Sequence, residues 1–260
     1  MTGVADSACD LRGLGVLVTR PAHQAADLCS LIDQKGGSPL SFPALQISSA
    51  SAPHEAINLL RQPADLCIFI SPNAVSYTLH LLGEESLPQT TRLAAVGSAT
   101  AQALLDAGYR VDLQPTERFD SEGLLALPEL ARLDGQRVVI VRGEGGRALL
   151  GDTLKSRGAE LVYAEVYRRG LPEIDPGPLL DVWHQRVDLV TATSSEILAN
   201  LVAMLGQAGW SLLRQTPLLV ISDRMREQAA QLGFETLLVA ENPTNSAIVT
   251  CLCKWVESDR

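Results

Sequence analysis

The sequence has few aromatic residues and no long hydrophobic run. Aromatic residues make up only 4% of the 260 residues, so a surface that stacks successive nucleic-acid bases is not expected. Acidic residues outnumber basic ones by 30 to 21, which argues against a non-specific nucleic-acid binder because such proteins need a basic surface. No run of about 18 apolar residues predicts a membrane span, and no secretory signal is predicted at the N-terminus. We therefore expect a cytoplasmic protein that binds neither nucleic acid nor membrane.

Clustered metal ligands are also missing from the sequence. The five cysteines form no CxxC pair, and the four histidines lack the spacing of metal ligands. Cys29 and Cys67 lie within apolar patterns and are expected to be small core residues. We expect reduced thiols and no bound metal.

Lysine is rare, and arginine supplies most of the positive charge. There are three lysines, at positions 35, 155 and 254, and 18 arginines. Arginine binds carboxylates and phosphates through two parallel hydrogen bonds, whereas lysine offers a point charge. This bias fits an anionic ligand, although genomic base composition would also produce it.

Short apolar runs alternate with helical patterns along the whole chain. The runs at 16–18, 66–70, 93–96, 138–141 and 218–221 are continuously apolar, as is typical of strands buried on both faces of a parallel sheet. Pro21 suits the first turn of a helix, and Gly36 and Gly37 end that helix. The alternation predicts an α/β fold with parallel sheets.

The same pattern occurs twice in the chain. Arg20 corresponds to Arg142, and Ser71 corresponds to Ser194. Each copy is an α/β segment of about 120 residues. The repeat predicts two similar parallel-sheet α/β lobes with a cleft between them, and such clefts are favoured ligand sites.

Polar turns follow the predicted strands and precede the predicted helices. Helix N-termini attract anions, and ligands of open α/β sheets bind at the carboxyl ends of the strands. We therefore predict that these turns bind a polyanionic ligand, although their hydroxyl and amide side chains could serve only as N-caps. The candidate binding residues are Arg20, Ser71, Pro72, Asn73, Gly97, Ser98, Thr100, Arg142, Gly143, Gly146, Thr193, Ser194, Ser195 and Ser222.

One of these turns also fits a dinucleotide-binding pattern. Gly143, Gly145 and Ala148 have the spacing GxGxxA, and Glu160 or Glu165 follows at the distance of a ribose-binding acid. The first copy does not repeat the pattern. A nucleotide-dependent oxidoreductase remains an alternative, as does a two-lobed protein that binds a small molecule.

Tyr167 stands just before Arg168, Arg169 and Gly170, where the chain is expected to leave one lobe. Its phenol could donate a proton to a leaving hydroxyl group. It could equally serve only to anchor the connection between the lobes.

Several segments resemble uroporphyrinogen-III synthases of the proteobacterial type. They include VLVTRP at 16–21, SPNAV at 71–75, AVGSATAQAL at 95–104 and VRGEGGRALLGDTLKSRGAELVYAEVYRR at 141–169. The resemblance extends from about Gly15 to Trp255. The segment 141–170 and the TRP turn are its most specific parts.

The resemblance implies a reaction and a substrate. Enzymes of this family close the linear octacarboxylate hydroxymethylbilane to uroporphyrinogen III in haem biosynthesis. Water is lost and the terminal pyrrole ring is inverted through a spiro intermediate. The resemblance implies no metal or organic cofactor. We further expect a monomer that receives its substrate from the preceding enzyme of the pathway.

The resemblance also implies a domain division that the sequence pattern alone would have placed near residue 131. Residues 1–39 with 170–260 are expected to form one lobe and 43–167 the other, with linker strands near 42–47 and 162–169. Tyr167 matches the family's linker tyrosine, the candidate general acid, and the turn at 97–100 matches a substrate-facing turn. Met225 stands where many relatives carry a threonine-containing turn, so backbone N–H groups are expected to bind substrate there.

Overall fold

The computed structural model describes residues 9–146 and 148–258. Its strands are β1 (Gly15–Val18), β2 (Ser38–Ser41), β3 (Gln46–Ser49), β4 (Leu66–Phe69), β5 (Arg92–Ala95), β6 (Arg137–Gly143), β7 (Glu160–Gly170), β8 (Leu189–Thr191), β9 (Leu218–Val220) and β10 (Leu237–Val239). Its α-helices are α1 (Ala22–Gln34), α2 (Pro53–Arg61), α3 (Pro72–Leu82), α4 (Ser98–Asp106), α5 (Ser121–Leu125), α6 (Leu149–Ser156), α7 (Gly177–Arg186), α8 (Ser195–Gln215), α9 (Asp223–Leu232) and α10 (Asn245–Ser258).

The chain forms two compact units. Unit 1 contains the residues up to 46 and those from 170 onward, and unit 2 contains 47–169. The strand order is β10-β9-β8-β1-β2 in unit 1 and β3-β7-β6-β4-β5 in unit 2. Neighbouring strands from β10 to β2 and from β7 to β5 pair in parallel. The predicted α/β class with parallel sheets is confirmed.

The internal repeat appears as one topology used twice. The segment β1-α1-β2 of unit 1 has the same arrangement as β6-α6-β7 of unit 2. Likewise, β8-α8-β9-α9 corresponds to β4-α3-β5-α4. The order of these segments along the chain differs between the units. In unit 1 the segment β1-α1-β2 comes first, whereas in unit 2 the equivalent segment β6-α6-β7 comes after β4 and β5.

The central strands are buried on both faces of each sheet. Every residue of β1 and of β4 is buried, as a parallel sheet covered by helices on both sides requires. Successive side chains of a strand point to opposite faces, so Val16 and Leu17 enter different hydrophobic clusters. In unit 2, the side chains of Cys67 and Ile68 likewise lie on opposite faces of the sheet, in different hydrophobic clusters.

Helix α8 combines length with apolar composition. Among the described residues it is the one helix that is long and apolar enough to cross a membrane. A single helix of this kind is weak evidence for a membrane span, because the core helix of a globular unit has the same length and composition. Its residues Ile197, Leu198 and Leu201 are buried in the core of unit 1, and the helix is interrupted at Gly206, where φ is 57°.

The expectation of reduced thiols is wrong for one pair of cysteines. Cys9 and Cys253 form a disulfide that joins the segment before β1 to helix α10. No local sequence signal marks this pair, because the two residues stand 244 positions apart. Cys29, Cys67 and Cys251 are free thiols. Burial raises the pKa of Cys67 to about 12, which fits its expected role as an inert core residue.

The disulfide should contribute measurably to the stability of unit 1. A cross-link that closes a long loop typically stabilises a protein by about 2–4 kcal/mol. We expect Cys9→Ser to lower the free energy of unfolding in urea by that amount under oxidising conditions. Reductant should have the same effect on the parent protein and little effect on Cys9→Ser. Equal sensitivity of the two proteins to reductant would contradict the cross-link.

Candidate functional site

The candidate residues of unit 2 lie at the carboxyl edge of its sheet. Ser71 follows β4, Gly97 follows β5, and Gly143 and Tyr167 lie near the ends of β6 and β7. Since the strands are parallel, their carboxyl ends meet at the same edge. Pro72 and Asn73 open helix α3, and Gly146 lies in the turn that precedes α6, with φ of 98°.

The candidates of unit 1 have the same placement in their own sheet. Arg20 follows β1, Ser194 follows β8, and Ser222 follows β9. Thr193 and Ser195 flank Ser194, and all three are half-buried. The sequence therefore predicted correctly that polar turns end the strands.

Three of the serines act as helix N-caps. The hydroxyl of Ser71 accepts a hydrogen bond from the N–H of Ala74, and Ser194 caps α8 through Ile197. Ser222 accepts from the N–H of Met225. The simpler of the two interpretations of these residues thus applies at all three positions, because each satisfies a backbone donor that the helix itself leaves unpaired.

Two other helices at these edges begin without a side-chain cap. Gly97 is the N-cap residue of α4, and Pro21 is the N-cap residue of α1. The sequence predicted Pro21 in the first turn of α1, but it lies one position before that turn. Across residues 9–146 and 148–258, the N–H of Ser98 and the N–H of Ala22 have no hydrogen-bond partner. These amides are donors available to an anionic group.

A bulge between β6 and β7 sets the position of Tyr167. Arg142 pairs with Glu165, but the next residue of β6, Gly143, pairs with Tyr167. A β-bulge re-aims the side chains that follow it. A Cβ atom on Gly143 would lie 2.6 Å from the Tyr167 ring, so the ring can occupy this place only because residue 143 is glycine.

The Tyr167 side chain is enclosed by unit 2. The residue is 2% exposed, and its ring packs against Tyr77 with centroids 5.8 Å apart. Its hydroxyl lies 3.2 Å from the Ser71 Oγ. Among the candidates of unit 2, the structure thus brings Tyr167, Ser71 and Gly143 into direct contact. Tyr77 carried no signal in the sequence beyond its apolar helical position.

Arg142 is held within unit 2. Its guanidinium donates two hydrogen bonds to Glu165 Oε1, at 2.9 and 3.1 Å. It also lies 4.0 Å from the centroid of the Tyr163 ring. Its side chain is 13% exposed, so the guanidinium lies mostly inside unit 2 and is fixed by Glu165 and Tyr163.

Arg20 is held within unit 1. It is 9% exposed, and its guanidinium donates to Asn245 Oδ1 at 2.5 Å and to the Pro243 carbonyl at 2.6 Å. Burial lowers its pKa from the usual arginine value. These contacts tie the turn after β1 to Pro243 in the loop before α10 and to Asn245, the first residue of that helix. The sequence pattern did not indicate this role for Asn245.

The contacts of segment 143–165 also account for the apparent dinucleotide pattern. Gly143 is explained by its contact with Tyr167. Glu165, one of the two acids considered for ribose binding, is bonded to Arg142. Both residues of the pattern therefore have structural partners, and the oxidoreductase alternative is not favoured.

The side chain and the amide of Met225 are both engaged within unit 1. Its side chain is 2% exposed and packs in the core of unit 1. Its N–H donates to Ser222 Oγ at 3.3 Å. Because the Met225 N–H is already hydrogen-bonded to Ser222, substrate binding at this turn would need other N–H donors of the same sheet edge.

The described chain offers no clustered metal ligands, and a further cavity lies apart from the candidate residues. Residues 9–146 and 148–258 contain no group of three or more His, Cys, Asp or Glu side chains that could hold a metal ion. A cavity of about 330 Å³ lies in unit 1 between the end of β10 and α10. It is lined by Val239, Glu241, Asn242, Thr244, Ser246, Ala247, Thr250, Cys251 and Lys254, none of which is a candidate binding residue.

The fold and these edges define an α/β protein with two repeated parallel-sheet units. Each unit presents serine hydroxyls and helix N-termini at the carboxyl ends of its strands. In unit 2 a buried tyrosine hydroxyl contacts one of the serines. Such a protein is suited to an anionic ligand and to proton transfer.

Comparison with known proteins assigns the family. The family model for uroporphyrinogen-III synthase HemD matches residues 26–250. The chain is 34% identical to uroporphyrinogen-III synthase of Escherichia coli (strain K12), over 92% of this chain and 100% of that protein. The identity and both coverages are the same for the Salmonella typhimurium enzyme. The chain belongs to the uroporphyrinogen-III synthase family.

Solved structures agree with the fold. A mutant uroporphyrinogen III synthase from the extremely thermophilic bacterium Thermus thermophilus has a TM-score of 0.61 at 18% identity, and the match covers 95% of this chain and 100% of that chain. The synthetase from Helicobacter pylori 26695 has a TM-score of 0.59 at 15% identity with the same coverages. At these identities the likeness shows a shared fold.

The contact between Gly143 and Tyr167 can be tested by adding one methyl group. We expect Gly143→Ala to lower the free energy of unfolding by about 1–3 kcal/mol, because overpacking forces the ring to move. Urea denaturation measures this change. Gly170→Ala is the matched control, since a Cβ there meets no atom within 4 Å. Equal stability of the two variants would show that the ring is not confined by residue 143.

A second prediction concerns the role of Arg20. Each hydrogen bond from a charged group contributes about 1.5–3 kcal/mol. We therefore expect Arg20→Ala to lower the free energy of unfolding by at least about 2 kcal/mol. Arg224→Ala should change it little, because Arg224 is exposed and its side chain forms no ion pair or hydrogen bond within the described ranges. A raised KM with unchanged stability in Arg20→Ala would instead identify Arg20 as a substrate contact.

Proposed function

We propose that this chain closes hydroxymethylbilane to uroporphyrinogen III with loss of water, as a hydro-lyase of haem biosynthesis. The observation that carries the proposal is membership of the uroporphyrinogen-III synthase family over residues 26–250. The hydroxyl pair of Ser71 and Tyr167 at the carboxyl edge of unit 2 supports it, since the reaction must remove a hydroxyl group.

The substrate's eight carboxylates are proposed to bind at the carboxyl edges of the sheets. The unpaired amides at the starts of α1 and α4 are suitable donors for them. The exposed hydroxyl of Ser98 and the half-buried hydroxyls of Thr193 and Ser195 lie at the same edges. Thr100, which is buried in the first turn of α4, would help to position that helix end. Arg20 and Arg142 would hold these edges in shape through their internal hydrogen bonds.

Tyr167 is the proposed source of the proton that the leaving hydroxyl needs. The hydroxymethyl group is attached to an electron-rich pyrrole, so its carbon–oxygen bond breaks readily once the oxygen is protonated. The protein must then hold the resulting cation so that the ring closes at the substituted carbon. This is catalysis mainly by positioning, with a smaller contribution from the acid.

The proposed chemistry uses only protein groups. Proton transfer and positioning account for each step, so we propose that neither a metal nor an organic cofactor takes part. We also propose that the protein works in the cytoplasm as a monomer. It would take hydroxymethylbilane from the enzyme that produces it.

The direct test is to identify the isomer that forms. Purified protein is supplied with freshly generated hydroxymethylbilane, and the uroporphyrinogens are oxidised and separated by chromatography. We expect the type III isomer, because the protein directs closure to the substituted carbon. Without an enzyme, the linear tetrapyrrole closes to type I.

Two controls make the outcome decisive. Heat-denatured protein should yield type I only, and treatment with a chelator should leave the yield of type III unchanged. Exclusive formation of type I by folded protein would rule out the proposed function. A requirement for added nicotinamide nucleotide would instead support the oxidoreductase alternative.

A further inference from the structure

The two hydroxyl groups in contact at the edge of unit 2 differ in their access to solvent. Tyr167 is 2% exposed, whereas Ser71 is half-buried at the start of α3. Their oxygen atoms lie 3.2 Å apart, within the range of a weak hydrogen bond. Any group that approaches this pair from solvent therefore meets Ser71 before Tyr167.

The phenol of Tyr167 is prevented from swinging outward. Gly143 lies directly against the ring, since even a Cβ at that position would come within 2.6 Å. Tyr77 covers the ring at a centroid distance of 5.8 Å. The Tyr77 hydroxyl is itself anchored to the Ile47 carbonyl at 2.8 Å. Direct contact between the Tyr167 hydroxyl and a bulky pyrrole would require this packing to open.

Ser71 is arranged to pass a proton onward. Its Oγ accepts a hydrogen bond from the Ala74 N–H at 3.1 Å. A hydroxyl oxygen has two lone pairs and one proton, so Ser71 can also accept from Tyr167 while it donates to a third group. The backbone conformation at Ser71 is extended, with φ of −160° and ψ of 158°, as an N-cap requires. The cap therefore fixes the serine oxygen in place between the tyrosine and solvent.

We propose that Ser71 relays the proton from Tyr167 to the leaving hydroxyl of the substrate. This inference rests on the proposed function and adds a group that touches the substrate. Ser71 gives its proton to the hydroxymethyl oxygen and takes the proton of Tyr167. The carbon–oxygen bond breaks, and the oxygen leaves as water.

The proton balance closes within the same reaction. After the first transfer, Ser71 again carries one proton and Tyr167 is a phenolate. The new carbon–carbon bond forms at the substituted pyrrole carbon, and the older bond from that carbon to its methylene bridge then breaks. The released methylene carbon bonds to the unsubstituted α-carbon of the same ring, which inverts the ring. That α-carbon loses its proton when the pyrrole is restored, and the proton returns through Ser71 to Tyr167. The net change is the loss of one water molecule, with no oxidant or reductant.

The test compares three variants in steady-state kinetics. A general acid supplies ~10²–10⁴-fold, and the low end is expected for an activated leaving group. Tyr167→Phe and Ser71→Ala should therefore each lower kcat by about 10²-fold or less, by similar factors and with little change in KM. The double variant should be no slower than either single variant, because both changes break one path. Ser71→Thr, which keeps the hydroxyl, should restore most of kcat.

Several outcomes would overturn the relay. A Ser71→Ala variant with parental kcat would show that Tyr167 acts without Ser71. Multiplicative losses in the double variant would show that the two residues act independently. A raised KM with unchanged kcat would make Ser71 a binding residue only. Failure of Ser71→Thr to recover activity while keeping the parental melting temperature would also contradict it.

Folding and the proposed function are checked separately. Melting temperatures of all variants show whether loss of the N-cap has unfolded α3, and Ser71→Gly removes the hydroxyl at a capping position that tolerates glycine. Ser71→Gly should match Ser71→Ala in kcat. The isomer formed by the parental protein tests the proposed function. Parental formation of type III with full activity in Ser71→Gly would therefore overturn the relay alone.

Discussion

Parallel pairing is the constraint from which the placement of the site follows. Parallel strands need a crossover after each strand, so every strand of a sheet ends at the same edge. In unit 2 this brings the turn at Ser71 and the turn at Gly97 beside the ends of β6 and β7. The repeat places Ser194 and Ser222 in the same way in unit 1. Residues far apart in sequence are thereby collected at two edges without any ligand to organise them.

Within unit 2, a β-bulge between β6 and β7 sets the position of the Tyr167 side chain at this edge. The bulge after Arg142 shifts the register of β7, so that Tyr167 comes to lie against Gly143. The same contact leaves the Tyr167 hydroxyl next to the N-cap of α3. One serine oxygen therefore both caps α3 and contacts the Tyr167 hydroxyl, which is why we propose a chemical role for Ser71 as well as a structural one.

Much of the fold could be predicted from the sequence, because buried parallel strands are continuously apolar and polar turns mark their ends. The placement of Arg20 and of the Ser71 turn followed from that pattern. The Cys9–Cys253 disulfide could not be predicted, since it depends on tertiary proximity alone. The contact of Tyr167 with Gly143 also escaped prediction, because a one-residue shift in register leaves no periodic signal. The sequence instead indicated a ligand-binding role for Gly143, in an anion-binding turn or, as the alternative, in a dinucleotide-binding pattern.

The central claim is that the Tyr167 phenol supplies the proton that removes the hydroxyl group. Replacing Tyr167 by fluorotyrosines of graded acidity tests this claim most directly, because the ring keeps nearly the same size while its readiness to give up a proton changes. With single-turnover rates measured at a pH where every phenol is protonated, the account predicts that the rate rises with the acidity of the phenol. A rate that is independent of fluorination in folded proteins would contradict it.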